Sequence, residues 1–267
     1  QPTSTFTQSP NQCLTGNTFT FTNTGSSGGA YSYSWNFGGG GATPATSTTN
    51  NQAGVVYTTP GTYTITHIIT GPVGCTSTTT STVTIYAMPT VTVNDPTICA
   101  GTTATLTAGG ATTYTWSAGA TSTGATTASA TPAVTTSYTV TGTNANGCTA
   151  TDVATVTVNP LPVVTAESNL TFCAGAAVPA NTFNSTPVGA TFTWTNSNTA
   201  IGLAASGVTS TPGFTATNAT AGPITATISI TPTLAGCVGT PVTYTITVNP
   251  LPTVVAEPNL TFCPGAT

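Results

Sequence analysis

Few residues in this 267-residue chain could carry acid–base, metal or redox chemistry. There is no Lys and no Arg; there are four acids (Asp95, Asp152, Glu167 and Glu257), one His and seven Cys. His67 is the only imidazole available as a general base, and it sits at an inward-facing strand position with no acid near it in sequence. A nucleophile, a base and an orienting acid would have to meet by coincidence, so His67 is expected to be a packed neutral histidine. The acids fall one per region. Glycoside hydrolysis needs two carboxyls in one site, and a calcium joint needs several oxygens per ion, so neither chemistry is expected. The cysteines form no C-x-x-C or Cys/His cluster of the kind that binds zinc. Gly38 to Gly41 lacks both the G-K-[ST] ending and the G-x-G-x-x-G spacing of a phosphate loop and is expected to be a turn. No catalytic residue, metal or cofactor is expected, and the chain is not expected to be an enzyme.

The missing cations also remove the means of binding nucleic acid by phosphate neutralisation. No apolar run is long enough to span a membrane. No leader with a positively charged start is visible, as expected of a mature or internal segment.

The elements that position the cysteines are strands. The sequence holds 72 Thr and is punctuated by 28 Gly and 20 Pro, which predicts short strands joined by turns and an all-β fold. The stretch from Asn159 to Ala177 returns from Asn249 to Thr267 with fourteen of nineteen positions identical. A spacing of that size fits a small β-domain. Three units and the start of a fourth are expected: residues 1–87, 88–159, 160–249 and 250–267. Each full unit has one Cys near its start and one in the turn before its last strand. One disulfide per domain follows as the expectation, in an oxidising compartment: Cys13–Cys75, Cys99–Cys148 and Cys173–Cys237, with Cys263 pairing outside the chain. Trp35, Trp116 and Trp194 follow the first Cys of their units by 22, 17 and 21 residues. That recurrence predicts core positions on the third strand, the alternative being platforms on which sugars stack.

Y-S-W-N-F-G-G-G, then P-G-T-Y-T-I-T, then G-C-T-S-T-T-T-S-T-V-T-I in the first unit resemble the polycystic-kidney-disease (PKD) domain, an immunoglobulin-like β-sandwich. Gly39 stands where that family's W-x-F-G-D-G motif has Asp, so a role for that Asp does not carry over. The second and third units, with their N-P-x-P-x-V joints and C-x-G starts, resemble the PKD-like and Ig-like repeats of large surface proteins of Bacteroidetes. The resemblance implies tandem sandwiches, export by the type IX route, an extracellular place on the cell surface, and work in adhesion, gliding or prey capture. Asn169-Leu-Thr171 and Asn259-Leu-Thr261 match the glycosylation sequon, which carries no weight if the source is bacterial, as the resemblance implies.

Two partner classes remain. Near-zero charge density removes the repulsion between copies, so a homo-oligomer, a lateral filament or bundle, is expected. The second class is a glycan on a cell or prey surface. Threonine rows on outward faces also suit ice, but sandwich strands twist and spoil the flatness that ice needs.

Overall fold

The computed structural model describes residues 1–39, 41–165 and 167–254; Glu257, Asn259 and Cys263 lie outside the described residues. Among the described residues every element is a strand except one 3-10 turn, Thr199–Ile201. The residues fall into two compact units. One holds the described residues of Gln1–Thr97 and Thr103–Thr157; the other holds Ile98–Thr102 and the described residues from Val158 on.

The first unit contains one sandwich and most of a second. In the first, one sheet runs in the order Phe6–Gln8, Phe19–Asn23, Gln52–Tyr57, Ala42–Thr43. The other runs Gln12–Cys13, Thr76–Tyr86, Gly61–Thr70, Ser32–Asn36, Thr46–Ser47. The opening segment switches sheets. Phe6–Gln8 lies antiparallel to Phe19–Asn23, then Gln12 and Cys13 run parallel to Ile85 and Tyr86 at the end of the last strand. Alternation explains which residues face inward. In Gly61–Thr70, Tyr63, Ile65, His67 and Ile69 are buried between solvent-facing and half-buried Thr and Ile. Tyr63 and Ile65 join Phe19, Phe21, Trp35, Phe37, Val55 and Tyr57 in one core, and His67 stacks on Trp35. Burying each large apolar side chain contributes roughly 1.5–3 kcal/mol.

The second sandwich repeats the plan with smaller residues. Its sheets run Thr92–Val93, Ala104–Gly109, Thr127–Ala130, Thr121–Ser122 and Thr97–Cys99, Thr149–Asn159, Thr136–Thr143, Thr113–Trp116. The buried set includes Leu106, Tyr138, Val140, Cys148, Val156 and five alanines: Ala104, Ala108, Ala128, Ala130 and Ala154. Close approach of backbone is part of the design. A Cβ on Gly110 would sit 1.7 Å from the Thr90 carbonyl oxygen, and one on Gly25 would sit 2.0 Å from that of Thr3. In each case only glycine lets the incoming segment cross the end of the second strand.

The second unit has one large sheet, ordered Leu170–Cys173, Val242–Asn249, Ile224–Leu234, Thr191–Asn196, Ser206–Val208. Cys237–Val238 pairs back onto the end of Ile224–Leu234. Three two-stranded ladders accompany it: Val163–Val164 with Ser185–Thr186, Ala177–Val178 with Phe214–Thr215, and Asn181–Thr182 with Ser210–Thr211. Its core includes Phe183, Phe192, Trp194, Ile201, Ile228, Ile230, Tyr244 and Ile246.

Candidate functional site

The first cysteine of each repeat sits beside the end of that repeat's last strand. The amide after it donates to the final carbonyl of that strand: Leu14 N to Tyr86 O, Ala100 N to Asn159 O, Ala174 N to Asn249 O, all at 2.9 Å. The second cysteine lies before the start of the same strand. Gly71 N donates to Cys75 O and Gly74 N to Gly71 O, both at 2.9 Å; Asn144 N to Cys148 O and Gly147 N to Asn144 O, at 2.9 and 3.0 Å, close the same turn in the second sandwich. The strand between them is Thr76–Tyr86 in one case and Thr149–Asn159 in the other, eleven residues each. At about 3.3 Å per residue it holds the two cysteines of one repeat about 36 Å apart. A disulfide spans about 4.4–6.8 Å between Cα atoms.

The pairs Cys13–Cys75, Cys99–Cys148 and Cys173–Cys237 are therefore not formed. Cys13 bonds Cys148 and Cys99 bonds Cys237, each with Cα atoms 5.6 Å apart. The first cysteine of one repeat is joined to the turn cysteine of the next. Cys75 and Cys173 are free and exposed. The two closed loops span 135 and 138 residues, each worth about 5 kcal/mol of denatured-chain entropy on the loop-closure model.

Trp35 and Trp194 are fully buried, and each indole N–H donates at 2.9 Å to a backbone carbonyl, of Thr49 and Ser210 respectively. Trp116 differs from its expected core position: it is only half-buried. The buried side chains of this sandwich are mainly small, Ala104, Ala108, Ala128, Ala130 and Ala154 among them, and supply less bulk than the aromatic core of the first.

His67 is buried against Trp35, their rings stacked with centroids 3.7 Å apart, and Phe6 meets it edge-on. Ser4 Oγ donates to the His67 carbonyl at 3.0 Å and lies 3.2 Å from Nδ1, while Nε2 has no hydrogen-bond partner. Burial lowers its pKa to about 4, so the ring is neutral at pH 7. A Ser and a His in contact suggest half of a catalytic dyad. Both are buried, however, and the free Nε2 meets no acid, so the pair packs the sandwich end. Tyr57 is likewise pushed up to about 12 by burial, with Tyr63 adding to the shift; its hydroxyl donates to Phe37 O at 2.9 Å.

Asp95 and Asp152 act as acceptors for backbone amides. Asp95 Oδ1 accepts from Thr155 N at 2.6 Å. Asn11 and Asn169 do the same for Thr84 N and Thr245 N, both at 2.8 Å, in the other two sandwiches. An uncharged side chain therefore fills the same role, and the sequon residue Asn169 has its side-chain oxygen engaged. Asp152 accepts from Val93 N and Val153 N, and Glu167 from Asn181 Nδ2. Among the described residues no three His, Cys, Asp or Glu side chains group as metal ligands, and no helix is long and apolar enough to cross a membrane.

Sheets, joints and disulfides together define the class: tandem immunoglobulin-like β-sandwiches. Residues 5–84 match the family model described as PKD domain, and residues 170–252 match that described as PKD-like domain. The chain carries tandem repeats of the PKD and PKD-like type, modules of extracellular adhesion and structural proteins. No curated protein matches it. Among solved structures, a three-immunoglobulin-domain variant of titin is 15% identical with a TM-score of 0.46, covering 93% of this chain and 99% of that one. The two immunoglobulin domains of DIP-gamma are 12% identical at TM-score 0.35, covering 61% and 97%. Cadherin domains 3–6 of protocadherin gamma B2 are 11% identical at 0.33, covering 95% and 77%.

Proposed function

We propose that this chain is a structural repeat segment of an extracellular bacterial surface fibre or adhesin, its repeats being residues 1–87, 88–159 and 160–249, with 250–267 opening a fourth. The observation that carries the reading is the pairing of Cys13 with Cys148 and Cys99 with Cys237. Disulfides that join successive repeats serve the array; a single binding module needs its staple inside itself. Disulfides also support an oxidising compartment. With no Lys or Arg and four acids, copies repel one another weakly, which supports lateral association into a filament or bundle. The family resemblance supports a Bacteroidetes surface, type IX export and a part in attachment, gliding or prey capture. The glycan-binding alternative needs an exposed aromatic face, and Trp35 and Trp194 offer none.

Electron microscopy and light scattering of the purified chain test the reading. Filaments or bundles that persist from low to high salt are expected. Isolated strings at every salt concentration, together with a specific hit on a glycan array, would overturn it in favour of the alternative.

A further inference from the structure

Cys75 and Cys173 are the two described cysteines without a partner, and both are exposed. Each has paired counterparts in the neighbouring repeats. Cys75 occupies the turn position of Cys148 and closes the turn with the same two backbone hydrogen bonds. Cys173 occupies the first-strand position of Cys13 and Cys99, with the same bond from the following amide to the end of the last strand. The surroundings match as well. Beside the turn of Cys148, Asn144 Nδ2 donates to Ala87 O in the incoming joint at 2.9 Å. Beside the turn of Cys237, Asn159 Nδ2 donates to Ala235 O at 3.4 Å. Beside Cys75 lies a groove of about 190 Å³ formed by Pro2, Tyr31, Pro72 and Val73, the last 85% exposed. Pro2 holds the place of Pro89: Gly25 and Gly110 are crossed in the same way by the residues that follow them, Thr3 and Thr90.

We infer that Cys75 and Cys173 are the open halves of the staple that the other four cysteines complete. Cys75 takes a first-strand cysteine, and Cys173 a turn cysteine, each from another β-sandwich of this repeat. The groove beside Cys75 receives the joint that brings that sandwich. The bond forms by exchange with an oxidised small disulfide such as glutathione disulfide: two protein thiols become one protein disulfide, and their protons leave on two glutathione thiols. The inference rests on reading the chain as a repeat array and names how one repeat is fixed to the next.

The test adds a sandwich at either end of the chain. Residues 1–249 followed directly by a second copy of 160–249 keep the N-P-L-P joint; the added copy carries Cys173→Ser. Residues 160–250 placed before Gln1 give N-P-Q-P. Each protein is oxidised with glutathione disulfide, labelled with maleimide, cleaved with pepsin because trypsin has no site, and mapped by mass spectrometry. The expected result in monomers is loss of label from the native Cys173 in the first protein and from Cys75 in the second, with Cys99–Cys237 retained. The unextended chain serves as the second-copy arm: a disulfide-linked ladder joining Cys75 of one copy to Cys173 of another makes a second copy the source. Cys75 and Cys173 still labelled in every arm would overturn the inference, as would Cys99 becoming labelled while Cys173 pairs inside its own repeat. Filament formation is scored on the same samples. Staples without filaments count against the fibre alone, and filaments with both thiols labelled count against the staple alone.

Discussion

His67 makes the stability of the first sandwich depend on pH in a window that can be read almost alone. The ring is buried and stacked on Trp35, and its pKa falls from 6.5 to about 4. In the unfolded chain it takes a proton near pH 6.5; in the fold it does not until about pH 4. Above pH 6.5 both states are neutral and the stabilisation is fully present. As pH falls below 6.5 the unfolded state binds the proton first, so stability drops, by about 2 kcal/mol at pH 5 and at most about 3 kcal/mol near pH 4. The chain has no other His and no Lys or Arg, so little else gains charge between pH 7 and 5. Urea unfolding followed by Trp fluorescence should show the midpoint falling by about 0.7–2 M between pH 7 and 5, given a slope of about 1–3 kcal/mol/M. His67→Leu should flatten that dependence. A wild-type midpoint equal at the two pH values would refute the argument. So would an equal fall in His67→Leu. A flat wild-type profile would mean that the Trp35 face compensates the imidazolium by cation–π attraction as fast as burial penalises it.

Other perturbations separate the interactions by size. Tyr57→Phe removes the hydroxyl that satisfies Phe37 O in the core and should cost about 1–3 kcal/mol in urea unfolding. Trp35→Ala should cost about 3–5 kcal/mol, whereas half-buried Trp116→Ala should cost less than about 2 kcal/mol; equal costs would show that the second sandwich encloses its indole after all. Gly110→Ala places a Cβ against the Thr90 carbonyl at a φ of +88° and should lower stability by at least about 2 kcal/mol, measured by thermal melting.

Strand content, the alternating inward set of Gly61–Thr70 and the neutral packed histidine were legible because period-two patterning and burial are local properties of the sequence. Tyr63, Ile65, His67 and Ile69 stand where alternation puts them. The disulfide pairing was not read correctly, because counting two cysteines per repeat says nothing about which end of the sandwich each occupies. The signal was nonetheless present. An eleven-residue strand such as Thr149–Asn159 lies between the turn cysteine and the point where the first cysteine docks, and a strand of that length cannot bring its two ends together. Trp116 was misplaced for a different reason. It follows its cysteine by 17 residues, against 22 and 21 for Trp35 and Trp194, and enclosure depends on the bulk of residues far away in sequence, which in the buried set of the second sandwich is largely alanine. The acids were hard to place because Asp95 shares its role with Asn11 and Asn169, so charge was not the property in use.

The two disulfide loops overlap, since residues 99–148 belong to both, and this changes how the chain would bear load. A force applied between Gln1 and Asn249 does not follow the sequence. It reaches Cys13, crosses to Cys148, runs backwards through the second sandwich to Cys99, crosses to Cys237 and leaves. The taut path is about 73 residue steps instead of about 248, roughly 250 Å in place of roughly 840 Å at about 3.4 Å per residue. Most of the backbone is thus spared extension even when every sandwich has come apart. An array built this way would behave as a cable of short reach that stiffens early, and a reducing agent would more than triple the length at which it goes taut.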